Sequence, residues 1–205
     1  MAEDVKPTRS ELQNLKKKIK LAQFGHNLLQ KKRDGLILEF FKILKEAKTL
    51  RKEMTEAYKK AYTELNQARV VVGDVYLESL ALAVKNDPKV KLEEKNIMGV
   101  IVQKISSEKI VKEFMQRGYG TLGVSSAVDS AAFQYEKVVE YIVKSAEIET
   151  AMKKLLDEIE KTKRRVNALE FEVIPKLTSQ KSFIQMRLDE IERENVFRMK
   201  RIKKK

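Results

Sequence analysis

Cysteine is absent from the 205 residues, which excludes disulfides, thiol nucleophiles and thiolate metal sites. Histidine occurs once, as His26, so no His-rich metal site can be assembled and any histidine-based catalysis has a single candidate. Tryptophan is missing, and aromatic residues make up only 7%. The chain holds 7 glycines and 3 prolines, well below the usage of about 7% Gly and 5% Pro in globular domains. Few turn formers point to long helices with few connections rather than to a sheet protein. Long apolar runs are missing too. The longest uncharged stretch, Gly118 to Val128, spans eleven residues, against the roughly 20 apolar residues of a membrane-spanning helix. The N-terminus carries Glu3 and Asp4 without an apolar core, so it does not read as a signal peptide. A soluble, cytoplasmic chain is expected.

What the chain does have is charge, at 36% of residues with a net of +13. Residues 1–33 hold 9 basic and 3 acidic side chains, and residues 176–205 hold 10 and 4, so almost all the excess sits at the two termini. An anionic partner, or one with an anionic cavity, is implied.

The N-terminal arm obeys one spacing rule. Alternating steps of three and four from Leu12 reach Leu15, Ile19, Ala22, His26, Leu29, Arg33, Leu36, Phe40, Ile43, Ala47, Leu50, Met54, Ala57, Ala61, Glu64, Ala68 and Val71, of which all but His26, Arg33 and Glu64 are apolar. Such a pattern is a coiled-coil seam. A helix from Ser10 to Val72 would be ~95 Å long and needs a companion. The C-terminal arm supplies it: Val138, Tyr141, Ser145, Ile148, Met152, Leu155, Ile159, Thr162, Val166, Leu169 and Val173 obey the same rule. The next apolar residue, Leu177, comes four residues on instead of three, followed by Ile184, Leu188, Ile191 and Ile202. This stutter unwinds a supercoil locally and coincides with Pro175, whose missing N–H leaves the Phe171 carbonyl without its usual donor. One helix from 126 to 205, kinked near Pro175, is expected.

Between the arms, Asp74 to Lys85 reads as a short helix stopped by Asn86-Asp87-Pro88, and Val90 to Ile105 as a small hairpin broken by Gly99. Glu108 to Arg117 reads as helical. The expected fold is therefore mainly α. It comprises an N-terminal coiled-coil helix (1–72), a central region with short helices and a β-hairpin at about 90–105 (73–125), and a C-terminal coiled-coil helix (126–205), with the arms antiparallel. The termini then lie together as a basic tip, and the opposite end is neutral.

Chemistry is harder to find. Gly118 to Gly123 spells G-x-G-x-x-G, but a dinucleotide fold needs a strand before it and an acid about 20 positions later on a second strand. A flexible entry to the long helix is the better reading, and no cofactor is expected. His26 and Arg33 are polar seam residues, of the kind that fix register or meet a partner. No Ser/His/Asp set can be built in a rod with one histidine. Tyr58 and Tyr62 read as packing residues. The Lys/Arg run from Arg198 to Lys205 could bind a phosphate backbone or steer the chain into an acidic partner. Nothing resembles a recognition helix or an aromatic stacking platform, so nucleic acid is not an expected partner.

Several segments are familiar in order along the chain: Pro7-Thr8-Arg9-Ser10, Leu28 to Leu36 (LLQKKRDGL), Asn96 to Val100 (NIMGV), Lys161 to Glu170 (KTKRRVNALE) with Ile174-Pro175, and Glu190 to Lys200 (EIERENVFRMK). They resemble the D subunits of the archaeal A-type and vacuolar-type rotary ATPases, from about Pro7 to Lys200. The resemblance implies a non-catalytic rotor shaft. Its terminal helices form an antiparallel coiled coil whose tip inserts into the hexamer of alternating A and B catalytic subunits. Its other region meets the F subunit of the central stalk and the connector to the membrane ring (the C subunit in archaeal naming, the d subunit in vacuolar naming), on the cytoplasmic side of the membrane. Candidate partner-facing residues are Arg9, Arg164, Arg165, Asn167, Glu170, Arg198, Lys200, Arg201, Lys203, Lys204 and Lys205, with no catalytic, cofactor or metal residue. The prefoldin-type chaperone and the basic coiled-coil nucleic-acid binder are the alternative readings of the same pattern.

Overall fold

The structure is a computed structural model and describes residues 6–84, 89–107, 110–112, 117–119 and 124–204. Its elements are α1 (Arg9–Val72), α2 (Asp74–Ala83), strands β1 (Val90–Ile97) and β2 (Val100–Ser107), α3 (Ser126–Ala168), a π turn (Leu169–Val173) and α4 (Ile174–Lys203). Two compact units divide them, residues 1–36 with 158–205 and residues 37–157.

In the first unit the start of α1 is set by Thr8, whose Oγ1 accepts the Glu11 N–H at 3.2 Å, half of the Ser/Thr-x-x-Glu capping pattern. The arms run antiparallel: Arg9 pairs with Glu192 at 2.6 Å and Lys32 with Glu158 at 3.1 Å, so one numbering rises as the other falls. The 3-4 spacing is visible as burial. Leu15, Leu36, Val166 and Ile184 are buried, Leu12, Ile19, Leu29, Ile159, Leu169 and Leu188 are half-buried, and Thr162 is a buried polar member of the seam. Ile191, assigned to the seam from the sequence, is exposed at 44%. The physical reason is that α1 begins at Arg9, opposite Glu192, so Ile191 lies at the last turn of the pair, where cover from α1 gives out.

The stutter takes a definite form. The Ile174 N–H donates to the Leu169 carbonyl, five residues back, which is the π-helical bond. The covered face steps from Leu169 to Ile174 and then to Leu177, while Val173 turns outward. A step of five followed by three carries one residue more than the usual seven, and the wider π turn absorbs it. The helical path continues through Ala168 and Ile174, both in right-handed helical conformation. Pro175 sits in the first turn of α4, where its missing N–H is tolerated.

In the second unit small side chains bring the helices close. Ala61, Ala68, Ala131 and Ala151 are buried with Val138 and Leu155, and the α1 seam residues Ile43 and Leu50 are half-buried. Arg51 lies 3.7 Å from Glu149, again antiparallel. Gly73, at φ 87°, lets the chain turn from α1 into α2, a backbone region where a Cβ would be strained. Helix α2 returns Leu77 and Leu80 to a cluster of Ala68, Val128 and Ala131.

Strands β1 and β2 pair antiparallel, from Val90 opposite Ser107 to Ile97 opposite Val100. Met98 (φ 52°) and Gly99 (φ 87°) form the two-residue connection, and positive φ at both positions is what a type I′ hairpin requires. Asn96 Oδ1 accepts the Gly99 N–H at 2.8 Å. A lone hairpin is marginal in water. This one buries Val100 and Val102, and the Lys154 ammonium donates to the Ile101 carbonyl at 3.1 Å. Of the stretch read as helical from Glu108 to Arg117, residues 110–112 and 117 are not helical and the rest lies outside the described residues, as do Asn86 to Pro88 and the last four residues of the G-x-G-x-x-G stretch.

Candidate protein-interaction surface

Basic residues gather where α4 outruns its partner. Arg198, Lys200, Arg201, Lys203 and Lys204 are exposed on the final turns, and Lys205 lies outside the described residues. Arg198 is loosely paired with Glu194 at 3.5 Å, and exposed pairs of this kind contribute only ~0–1 kcal/mol. Arg9 lies beside Glu192 at the edge of this group. Arg164, Arg165 and Asn167 are exposed on the last turns of α3, with Arg164 hydrogen-bonded to Glu160. Glu170, on the π turn, faces α1 and places Oε2 3.6 Å from His26 Nε2. The sequence-derived candidates therefore form two sets, one at the end of α4 and one around the end of α3.

His26 is the polar seam residue whose role the sequence left open. Its Nδ1 lies 3.3 Å from Asn27 Oδ1, and its buried Nε2 has no hydrogen-bond partner. Tyr58 and Tyr62 stack on each other with centroids 6.4 Å apart, yet half of each ring is exposed, so their packing is mutual rather than into a core.

The sequence reading missed three features. First, large apolar side chains stand exposed on α4 beyond the seam: Val196, Phe197 and Met199, together with Ile202, which the spacing had continued into the seam and which is exposed. The tip is amphipathic, not simply basic. Second, Leu21, Phe24 and Leu28 form an exposed second stripe on α1. Their three-and-four spacing was a readable signal, masked by the stronger seam one residue away. Third, a buried ion-pair clip holds the segment before α3. Arg117, buried, donates to Glu136 Oε1 at 3.0 Å and to Asp129 Oδ1 at 3.2 Å, and the Tyr119 hydroxyl donates to the same Asp129 oxygen at 2.8 Å. Glu136 also accepts the Lys112 N–H at 3.2 Å. Burial alone would lower the Arg117 pKa, but its hydrogen bond with Glu136 and the contact with Tyr119 carry it above the ordinary value. Burial, then hydrogen bonding to Asp129, raises the Tyr119 pKa, so the phenol remains a donor. These partners are far apart in sequence type and spacing, and no local pattern announces them.

Among the described residues no group of three or more His, Cys, Asp or Glu is arranged to hold a metal ion, and no helix is long and apolar enough to cross a membrane. What the surface offers is exposed apolar side chains in a field of positive charge, a combination suited to binding protein.

Known proteins of the same kind exist. The family described as the ATP synthase D subunit matches residues 11–204. The chain is 59% identical over 203 residues to the A-type ATP synthase D subunit of Methanococcoides burtonii, covering 99% of this chain and 98% of that one. It is 57% identical over 201 residues to the A-type ATP synthase D subunit of Methanosarcina acetivorans, covering 98% and 96%. The A-type ATP synthase D subunit of Haloarcula marismortui is 49% identical over 205 residues, covering 100% of this chain and 89% of that one.

Proposed function

We propose, because this chain belongs to the family of ATP synthase D subunits, that it is the central rotor shaft of an archaeal-type rotary ATP synthase. In this reading it carries torque between a hexamer of alternating A and B catalytic subunits and the ion-translocating ring of the membrane. The observation that carries the reading is the extent of the match, which runs through both arms and the region between them. The shaft performs no chemistry itself. The ATP reaction belongs to the hexamer, and the chain is peripheral, on the cytoplasmic side of the membrane.

The physical features support such a role. Two antiparallel helices locked by a seam resist twisting better than one, because relative sliding would expose Leu15, Leu36, Val166 and Ile184 together. The basic, amphipathic end of α4 is the part we place inside the hexamer. The central region is the part we place against the F subunit and the connector. Val70, Val71, Val75 and Leu82 stand exposed around the turn from α1 to α2, an apolar group suited to a permanent contact with another protein.

The test is reconstitution. The full chain, added to purified A and B subunits, should co-purify with them and be required for sustained ATP turnover, while hydrolysing nothing alone. Failure to associate with the A/B hexamer would overturn the rotor reading.

A further inference from the structure

The hairpin is fastened to the rest of its unit at two levels of unequal strength. No residue of β1 is buried, so the hold comes through β2 and the segment that follows it. Alternate residues of a strand share a face. On the inner face of β2, Val100 and Val102 are buried, while Lys104, the next residue on that face, is exposed. The cover is thus interrupted midway along the strand. It resumes at Ile110, buried three residues after Ser107, where β2 ends.

At the tip the polar tie is a solvent-exposed hydrogen bond, from the Lys154 ammonium to the Ile101 carbonyl at 3.1 Å. At the base the tie is of another kind. Glu136 and Asp129, two turns apart, share a face of α3. The buried Arg117 guanidinium reaches both Glu136 oxygens, at 3.0 and 3.3 Å, and Asp129 Oδ1 at 3.2 Å. Glu136 Oε2 also accepts the Lys112 N–H at 3.2 Å. Charge-assisted hydrogen bonds are roughly twice as strong as neutral ones, and opening this group would strand buried charge. The two levels are also well separated. Glu136 and Lys154 lie 18 residues apart on one helix, a distance of ~27 Å. An eight-residue strand is ~26 Å long, so the hairpin runs along α3 with its base at Glu136 and its tip toward Lys154.

We propose that the hairpin is a hinged arm, whose tip leaves α3 and returns while its base stays pinned at the Arg117 clip. Opening bares Val100 and Val102 on one face. The other face already carries the exposed Leu92 and Ile101. An open arm therefore shows water apolar side chains on both faces, and in the free chain opening is a minor, local excursion from the closed form. The hinge is a property of the chain by itself and does not depend on the rotor reading.

The chain has no cysteine, so a thiol introduced at a buried position reports that position alone. Val102→Cys reports the tip and Ile110→Cys the base, positions 4% and 8% exposed. Cysteine suits both as a small apolar side chain. Each folded full-length variant is treated with dithionitrobenzoate, and its labelling rate is divided by that of the same variant unfolded in urea. The tip thiol should label at least about tenfold faster than the base thiol. Its rate should be nearly insensitive to low urea, because a local opening exposes little surface. Lys154→Ala should raise the tip rate severalfold and leave the base rate unchanged. Arg117→Lys, which keeps the charge but loses the fork, should raise both. A smaller gap between the two thiols, or equal acceleration of both by Lys154→Ala, overturns the hinge, since the segment then lifts as one piece. A tip rate that Lys154→Ala leaves unchanged, or that rises with urea as steeply as global unfolding, overturns it as well.

Discussion

If the π turn exists to absorb one surplus residue, removing one residue there should be tolerated and removing one elsewhere should not. Glu172 is exposed within the turn, and Glu160 is exposed two turns before it. Deleting Glu172 shortens the five-residue step from Leu169 to Ile174 to four. The following step of three to Leu177 is unchanged, so the regular alternation is restored and Ile184 and Leu188 keep their places on the seam. Pro175 should be replaced by Ala in the same variant, because in an uninterrupted α-helix its ring and missing N–H cost ~3 kcal/mol. Deleting Glu160 instead turns every later residue by about 100° around the helix axis. Val166 and Ile184, 2% and 0% exposed, then leave the seam together with the half-buried Leu169, Leu177 and Leu188. At ~1.5–3 kcal/mol for each fully buried aliphatic side chain, the first two alone represent about 3–6 kcal/mol, comparable with the entire margin of about 5–15 kcal/mol that keeps a protein folded. Urea unfolding followed by far-ultraviolet circular dichroism distinguishes the two. The Glu172 deletion with Pro175→Ala should unfold within ~1 kcal/mol of the parent, and the Glu160 deletion should lose several. Equal losses in both variants would refute the argument that the π turn stores the extra residue.

Other perturbations act on single contacts. Arg117→Ala leaves the Glu136 and Asp129 carboxylates largely buried without their cation, and should cost about 3–5 kcal/mol, read as faster amide exchange around Ile110 and the start of α3. Gly25→Ala meets no neighbour and should stabilise α1 by up to ~1 kcal/mol, seen as a raised thermal midpoint; a lowered midpoint would refute this. Tyr119, whose pKa is raised by burial and by hydrogen bonding to Asp129, contributes stability fully present below the ordinary tyrosine value of about 10. That contribution is lost as pH rises through the higher folded value, so Tyr119→Phe should remove one alkaline component from the pH dependence of unfolding. Removing Lys203 to Lys205 should weaken assembly with the A/B hexamer modestly and reduce its sensitivity to salt, with turnover of assembled complexes nearly unchanged.

The arms were legible because a seam writes itself into sequence twice. Each helix must present apolar side chains every three or four residues, and the two patterns must have comparable length to cover each other. Leu15, Leu36, Leu155, Val166 and Ile184 were found by spacing alone and are buried. The surplus residue at Leu177 was legible as well, since apolar spacing counts residues per turn. Its form as a π bond between Ile174 and Leu169 was not, because spacing does not say which residue of the step turns outward. The end of the seam was misplaced for a similar reason. Ile191 has the right spacing, but coverage depends on where α1 starts, and that start is fixed by a Thr8 cap nearly two hundred residues away in sequence.

The functional surface was less legible, and the difference lies in what the two patterns oppose. A seam is recognised because its partner is in the same chain. Leu21, Phe24 and Leu28 have the same spacing but no complementary stripe here, so they dissolve into the composition until the structure leaves them bare. The Arg117 clip is invisible for a third reason: its partners at Glu136 and Asp129 are joined by a guanidinium reaching across an irregular segment that has no period.

Charge and apolar surface on this chain divide the task of holding a shaft. Lysines on a thin helix pair stay hydrated, and their attraction to a carboxylate-lined wall changes gently with rotation, since each exposed pair contributes ~0–1 kcal/mol and none dominates. Such a field centres the shaft without locking it. Apolar side chains differ, because their contribution vanishes within a few ångströms of separation and so depends on the angle at which they meet the wall. A shaft carrying only charge would slip under torque, and one carrying only apolar anchors would stick. Exposed apolar side chains recur on the arms, at Leu21, Phe24, Leu28 and Phe171 and again at Leu38, Phe41, Phe183 and Met186, with exposed lysines between them. On the rotor reading, torque would then be exchanged at these apolar side chains and the charged faces between them would serve as bearing. Serine at Leu21, Phe24 and Leu28 should accordingly lower the torque at which the assembled complex stalls more than it lowers its unloaded turnover. Equal losses in both would show that these side chains serve assembly alone.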